Sequence, residues 1–241
     1  MSTPLAFIHV MEPTVSVVLV VRNGDAYIAE ALRSVLSGPV VPNEVIVIDG
    51  QSADDTIAIA STFPNVTVHA QRSRGVAGAY NEGIQHASGM FIAFISHDDI
   101  WTENKLALQL TYLQQHPEAM GCVAHIQHFL AEGAEIPASF RASLLDESVV
   151  GYVPEALLVR REIFARVGLL DESYAAAEDT EWFARARDAG CMIGLLPETL
   201  LLKRVHGANT SLAGERLNKH LLMALRGSIA RKRNTEGTSP A

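Results

Sequence analysis

The first hundred residues alternate strand and helix four times, and that rhythm leaves few folds open. Apolar runs stand at Val15–Val21 (VSVVLVV), Glu44–Asp49 (EVIVID), Val66–Ala70 (VTVHA) and Phe91–Ser96 (FIAFIS). The first is followed by a turn, Arg22-Asn23-Gly24-Asp25, and by helical spacing over 27–36. The second closes on Gly50 and opens a helix that Ser52 or Asp54 is placed to cap, and the third leads into a Gly-punctuated helix over 76–87. Runs this continuous and this rich in Val and Ile are strands with both faces covered. Strands joined through helices lie parallel, because a tight turn joins only antiparallel neighbours. The reading is an α/β fold: a mostly parallel central sheet with helices on both faces, a Rossmann-like α/β/α sandwich. A chain of 241 residues is long enough to bury such a core.

Past residue 101 the pattern loosens. A helix is expected over 104–115, a strand over Gly121–Leu130, and a weakly patterned loop over 131–150, long enough to mark a functional or mobile segment. A short strand at 157–159 and a helix opened by Arg161-Glu162 follow. Next come a helix over 179–189 ended by Gly190 and two strands at 192–195 and 199–205. The expected organisation is an irregular lead-in at 1–13, a single domain over 14–212, a last amphipathic helix over 213–233 and a disordered polar tail at 234–241.

Parallel strands deliver their carboxyl ends to one edge, where ligand sites gather. The fourth run stops there at Ser96-His97-Asp98-Asp99, with Trp101 just beyond. Two adjacent carboxylates need something positive beside them. A divalent cation on a phosphate-bearing ligand meets that need with hard oxygen donors; capping the next helix explains the same residues, and the stretch alone leaves both readings open. Asp49 ends the second run at the same edge, placed to accept a hydrogen bond from a ribose or base, or simply to form the turn before Gly50. Glu178-Asp179 stands at a helix entrance, where the dipole favours acids and where capping again suffices as an explanation. Trp101 and Trp182 read as core aromatics before sugar platforms.

Other classes fall away. No G-x-G-x-x-G follows the first strand and no Gly-Lys-Ser/Thr occurs, so neither a dinucleotide fingerprint nor a P-loop is present. A net charge of −8 argues against general nucleic-acid binding. Cys122 and Cys191 have no metal-ligand spacing and read as buried thiols. No apolar run approaches the length of a transmembrane span, and residues 1–13 lack the basic start and apolar stretch of an export signal, so a cytoplasmic location is expected. The basic cluster Arg231-Lys232-Arg233 leaves room for peripheral contact with the inner face of a membrane, although three charges carry little weight and a solvated helix end explains them.

Taken in order, the motifs resemble the family-2 glycosyltransferases of the GT-A fold. They are Val15–Val21 with Arg22-Asn23; Asp49-Gly50-Gln51-Ser52-Ala53-Asp54-Asp55-Thr56; Arg74-Gly75 with Asn81-Glu82-Gly83; Ser96-His97-Asp98-Asp99; Arg160-Arg161 through Asp171-Glu172; Glu178-Asp179 with Trp182 and Arg185; and Arg204-Val205-His206 with Asn209 and Ser211. The resemblance implies an inverting enzyme that moves a sugar from a nucleotide-diphosphate donor, UDP favoured, to a hydroxyl of a glycan, a lipid-linked molecule or another acceptor. Residues 14–101 would bind the nucleotide and 102–212 the acceptor. By this likeness Val21, Asp49, Arg74, Asn81 and Asp98 serve the nucleotide, and Asp98, Asp99 and His206 hold Mn²⁺ or Mg²⁺. Asp179 acts as general base with Glu178 beside it, and Glu178, Trp182 and Tyr152 meet the acceptor. The chain departs from the family's Asp-x-Asp motif, with Ser96 in place of the first acid. That departure keeps a catalytically weak sugar-nucleotide or glycan-binding module in view. A nucleotidyltransferase is the other rival, opposed by the lack of a basic Gly-rich loop after the first strand.

Overall fold

The computed structural model describes residues 13–207 and 214–236, with side chains described throughout except at 214–219 and 232–236. The expectations for residues 1–12, for Asn209 and Ser211, and for 237–241 lie outside the described residues.

The four apolar runs form strands β1 (Val15–Val21), β2 (Glu44–Asp49), β3 (Val66–Ala70) and β4 (Phe91–Ser96). They are parallel and ordered β3-β2-β1-β4. The order reverses at β1, which has β2 on one side and β4 on the other. In such sheets a crevice opens at that switch point, outside the carboxyl ends of the strands. Register brings Val21 opposite Asp49, and Val20 opposite Ser96. Three strand ends therefore share one rim.

Connecting helices cover both faces. On one side α1 (Ile28–Leu36), α2 (Thr56–Ala60) and α4 (Lys105–Gln115) pack on Val17, Leu19, Val45 and Val47. On the other, α3 (Gly75–His86), α5 (Ile163–Val167) and α6 (Glu178–Asp188) pack on Val18, Ile46, Ile48 and Ile92. Alternate residues of one strand thus feed two separate cores, which is why the runs are apolar throughout. Each fully buried Val or Ile contributes about 1.5–3 kcal/mol. Cys122 and Cys191 are free and buried in opposite layers.

Beyond β4 the sheet continues through β8 (Leu158–Arg160), β6 (Gly121–Leu130), β9 (Ile193–Val205) and β5 (Ile100–Trp101). Two expectations change here. The loop over 131–150 contains a 3-10 turn at Ala142–Leu145 and a strand, β7 (Ser148–Val150), paired antiparallel to β6. The two late strands are one, β9, whose pairing with β6 jumps from Ala124–Leu196 to His125–Thr199 and then to Ile126–Leu201. Pro197 falls in that irregularity, where a residue without an N–H disturbs the ladder least. The last helix, α7 (Gly214–Glu236), runs past the expected end at 233. Among the described residues no helix is long and apolar enough to cross a membrane.

Candidate active site

The floor of the crevice is laced together by the polar residues after β1 and β2. Asn23 N–H donates to Ser52 Oγ at 2.8 Å, Gly24 N–H to Thr56 Oγ1 at 2.8 Å, and Ala53 N–H to Asn23 Oδ1 at 2.9 Å. Asn23 and Gln51 take left-handed backbone conformations, with φ of 53° and 63°. Asn tolerates this region well and Gln poorly, so the rim is held by tertiary bonds and not by local preference. A side chain at Gly24 would place its Cβ 2.5 Å from the His97 ring, which fixes a glycine there. Asp49 is 1% exposed. Its Oδ2 accepts from Ser52 N–H at 3.0 Å, while Oδ1 is buried without a hydrogen-bond partner among the described residues. A buried carboxylate oxygen left unpaired is costly unless a ligand donates to it.

The end of β4 is clamped by the end of β9. Asp98 Oδ2 lies 3.0 Å from His206 Nε2, and the backbone carbonyl of Asp98 accepts from Arg204 Nε at 3.0 Å. Arg204 also reaches Glu30 at 2.6 Å and stacks between Tyr27 and Phe129, its guanidinium carbon 4.5 and 4.6 Å from the two ring centroids. Burial pushes the Asp98 carboxyl up, but His97, hydrogen bonds from Ser96 and His206, and the Lys203 charge together bring it below the usual range, so it is an anion. Asp99, expected beside Asp98 on a cation, turns elsewhere. Its Oδ2 receives Lys203 Nζ at 2.6 Å and its Oδ1 the Arg204 N–H at 3.2 Å. The chain turns after β4, with Asp99 N–H returning to Ser96 O at 3.4 Å, and in that turn the Asp99 carboxylate is spent on Lys203 and the Arg204 backbone while Asp98 faces His206.

Lys203 extends this clamp across the sheet. It lies 3.6 Å from Glu155, whose other oxygen accepts from the Tyr80 hydroxyl at 3.1 Å. The carboxylates of Asp99, which is buried, and Glu155, which is partly buried, hold the lysine charged, its pKa raised despite burial. Beyond Glu155 stands Glu178-Asp179, the first turn of α6. Ala177, just before it, has φ of 61°, a left-handed conformation that costs an alanine roughly 1–2 kcal/mol. Asp179 borders a small apolar cleft with Tyr80, Phe94, Leu170, Trp182 and Phe183. Burial raises the Asp179 carboxyl; bonds from Thr180 and the Lys203 charge work against this, and Glu155 adds to it. Burial and the nearby acids raise Glu178 as well. The three carboxyls and Lys203 form one electrostatic unit between the Asp98 end and the α6 end of the site.

The remaining expected residues separate. Arg74 caps α3 with an exposed side chain that pairs with none of the described residues. Val21 sits beside Asp49 in the sheet. Asn81 is buried, and its amide is spent on the protein: it donates to Leu170 O at 2.9 Å and Glu172 Oε1 at 3.0 Å and accepts from Leu170 N–H at 2.9 Å, bracing α3 against the loop before α6. Trp182 is 3% exposed, with its indole N–H on Gly168 O at 3.0 Å and its ring beside Phe164, so it is a core residue and no open platform for an acceptor. Tyr152 is 51% exposed and meets Phe183 edge to face. Lys203 and Glu155 escaped the sequence reading. A lysine directly after the apolar run Leu200-Leu201-Leu202 was the available signal for the first; Glu155, in the 3-10 turn Pro154–Ala156, offered none.

Known proteins share the fold and the family of this chain. An uncharacterized glycosyltransferase of Rickettsia prowazekii is 28% identical over 222 residues, 84% of this chain and 67% of that protein. Across the first five curated relatives the chain spans 58% to 67% of their length. S. aureus TarS in complex with UDP-GlcNAc superposes with a TM-score of 0.71 at 18% identity, over 90% of this chain and 66% of that one. The mannosyltransferase PcManGT from Pyrobaculum calidifontis, in complex with GDP-Man and Mn²⁺, gives 0.69 at 20% identity, over 92% and 65%. Those two likenesses carry the fold, which is GT-A. Residues 16–168, more than half of the chain, match Glycosyl transferase family 2, and the chain belongs to that family.

Proposed function

We propose that this chain transfers a sugar from a nucleoside-diphosphate donor, UDP-linked by preference, to an acceptor hydroxyl with inversion at the anomeric carbon, in the assembly of a polysaccharide, glycolipid or other glycoconjugate. One observation carries the reading: an anionic Asp98 paired with His206 at the switch point of the sheet, tied through Lys203 and Glu155 to a raised carboxyl at Asp179.

The residues present fit a divalent cation. Asp98 and His206 bring a carboxylate oxygen and an imidazole nitrogen within 3.0 Å of each other. Among the described residues no group of three His, Cys, Asp or Glu converges, so diphosphate oxygens and water would complete the shell, the usual arrangement for Mg²⁺ or Mn²⁺ on a phosphate substrate. Such an ion, when bound, stabilises the departing diphosphate as a Lewis acid.

The rest falls to side chains of this chain. The orphan oxygen of Asp49 accepts an N–H from the nucleotide base, and Arg74 supplies a positive charge near the same nucleotide. Val21 lines the base pocket, with Asn81 holding α3 in place behind it. Asp179, with its pKa raised, takes the proton from the attacking hydroxyl; a base is most effective when its pKa approaches working pH, and the step contributes on the order of 10²–10⁴-fold. Glu178 orients the acceptor, with Tyr152 exposed at the margin. Attack from the face opposite the leaving group inverts the centre in one displacement.

A screen of thermal stability against nucleoside diphosphates and their sugars, with and without Mn²⁺, tests the donor half, because a ligand bound only to the folded state raises its stability. Shifts for UDP species that grow with Mn²⁺ are expected. The binding-module reading keeps one observation in its favour, Ser96 where a chelating acid is expected. Donor binding without transfer or hydrolysis across a broad acceptor panel would select it.

A further inference from the structure

The packed side of α7 is narrow. Ala224 and Ser228 are buried against α6, and Arg231 turns inward to Asp188 at 3.0 Å and Glu181 at 3.4 Å. The outer flank is apolar: Leu222, Leu225 and Ile229, spaced three and four apart on one stripe, are 56%, 57% and 44% exposed. Arg226 is exposed beside them. Next to the stripe an apolar groove runs between α7 and α6, lined by Tyr152, Phe183, Ile193, Leu221 and Leu225, and it reaches Thr180, the neighbour of Asp179.

Charge separates the possible occupants. Residues 214–236 carry six basic side chains (Arg216, Lys219, Arg226, Arg231, Lys232, Arg233) against Glu215 and Glu236, a net +4 in a chain whose total is −8. With Arg231 neutralised by Asp188 and Glu181, a second copy placed two-fold on this helix would still set about +3 against +3 and is disfavoured. A basic helix with an open apolar stripe suits a surface that is anionic outside and apolar beneath.

We propose that α7 docks on an anionic lipid bilayer, with Leu222, Leu225 and Ile229 entering the boundary between headgroups and acyl chains and Arg226 meeting lipid phosphates. The α6–α7 groove then opens toward the bilayer on the Asp179 side, and the acceptor is one carried on a lipid. This last clause rests on the proposed glycosyl transfer; the docking itself does not.

Flotation of the full chain with vesicles of phosphatidylcholine, alone or mixed with phosphatidylglycerol, tests it. Binding to the mixed vesicles is expected, weakened by salt and lower by about tenfold or more in Leu222→Glu/Leu225→Glu. Arg226→Glu, which leaves the apolar stripe intact, should lower it less. Thermal unfolding and nucleotide binding of the variants check that the fold survives. No flotation with mixed vesicles overturns the docking. Equal flotation with pure phosphatidylcholine overturns the role of charge. A dimer in sedimentation velocity that the leucine pair dissolves assigns the face to a second copy. Vesicle binding without any glycosyl transfer would leave the docking in place and remove the acceptor clause along with the functional reading.

Discussion

At the scale of single residues the account turns on which carboxylates are free to work. Asp179 is the one whose surroundings raise its pKa while leaving it beside a cleft. Asp179→Asn should lower kcat by about 10²–10⁴-fold while donor affinity changes little, measured as separate kcat and donor Kd values. As a base, Asp179 must be ionised, so activity should fall as pH drops through its raised pKa, at higher pH than for an ordinary aspartate. Asp49 calls for a different test. Asp49→Ala removes the acceptor aimed at the base, and nucleotide affinity by calorimetry should drop by roughly tenfold, the worth of one hydrogen bond to a charged group. The place of Asp49 at a strand end was legible because the β-branched run of β2 stops on it, and that of Asp98 because the apolar run of β4 gives way to polar residues just before it. The partners of Asp99 were not, because neighbours in sequence need not face the same way in a turn and Lys203 lies far along the chain.

Among the elements, the end of β9 does more than its Arg204-Val205-His206 motif announced, and the Pro154–Ala156 turn does what no motif announced. The end of β9 supplies Lys203 to Asp99 and Glu155, the Arg204 backbone and side chain to residues 98–99, and His206 to Asp98. Lys203→Met should destabilise the protein by about 3 kcal/mol in chemical unfolding, the low end for a broken buried pair, since it strands buried Asp99 and partly buried Glu155 without their cation. Glu155→Gln is the gentler probe. It withdraws a negative charge that helps raise Asp179, so the acid limb of the pH–rate profile should move to lower pH. The parallel half of the sheet was legible almost residue by residue, since β1, β2 and β4 are buried on both faces and read as continuous apolar runs; β3, at the edge, is partly exposed. The second half was less legible: β7 and β5 are short, and β9 is broken in pattern by Pro197 yet continuous in space.

For the whole molecule, stability carries a signature unrelated to the site. Lys105 is fully buried under Trp101, with its Nζ 4.3 Å from the ring centroid and 2.7 Å from Gln109 Oε1, and burial brings its pKa down to about 7. In the unfolded chain the lysine stays protonated up to about pH 10.4. Between those values the unfolded state binds the extra proton, so stability should rise with pH, at up to about 1.4 kcal/mol per unit. Denaturant unfolding at several pH values checks this, and Lys105→Met should flatten the slope.

The central claim is that Asp98, with His206, makes donor binding depend on a divalent cation. Calorimetric titration of UDP into the protein, with and without Mn²⁺, measures it directly, repeated on Asp98→Ala. The account predicts that Mn²⁺ strengthens binding to the unsubstituted protein by about tenfold or more, and that Asp98→Ala abolishes the gain while thermal unfolding still reports a folded chain. UDP affinity indifferent to Mn²⁺ in the unsubstituted protein, or a gain that survives in Asp98→Ala, would contradict it.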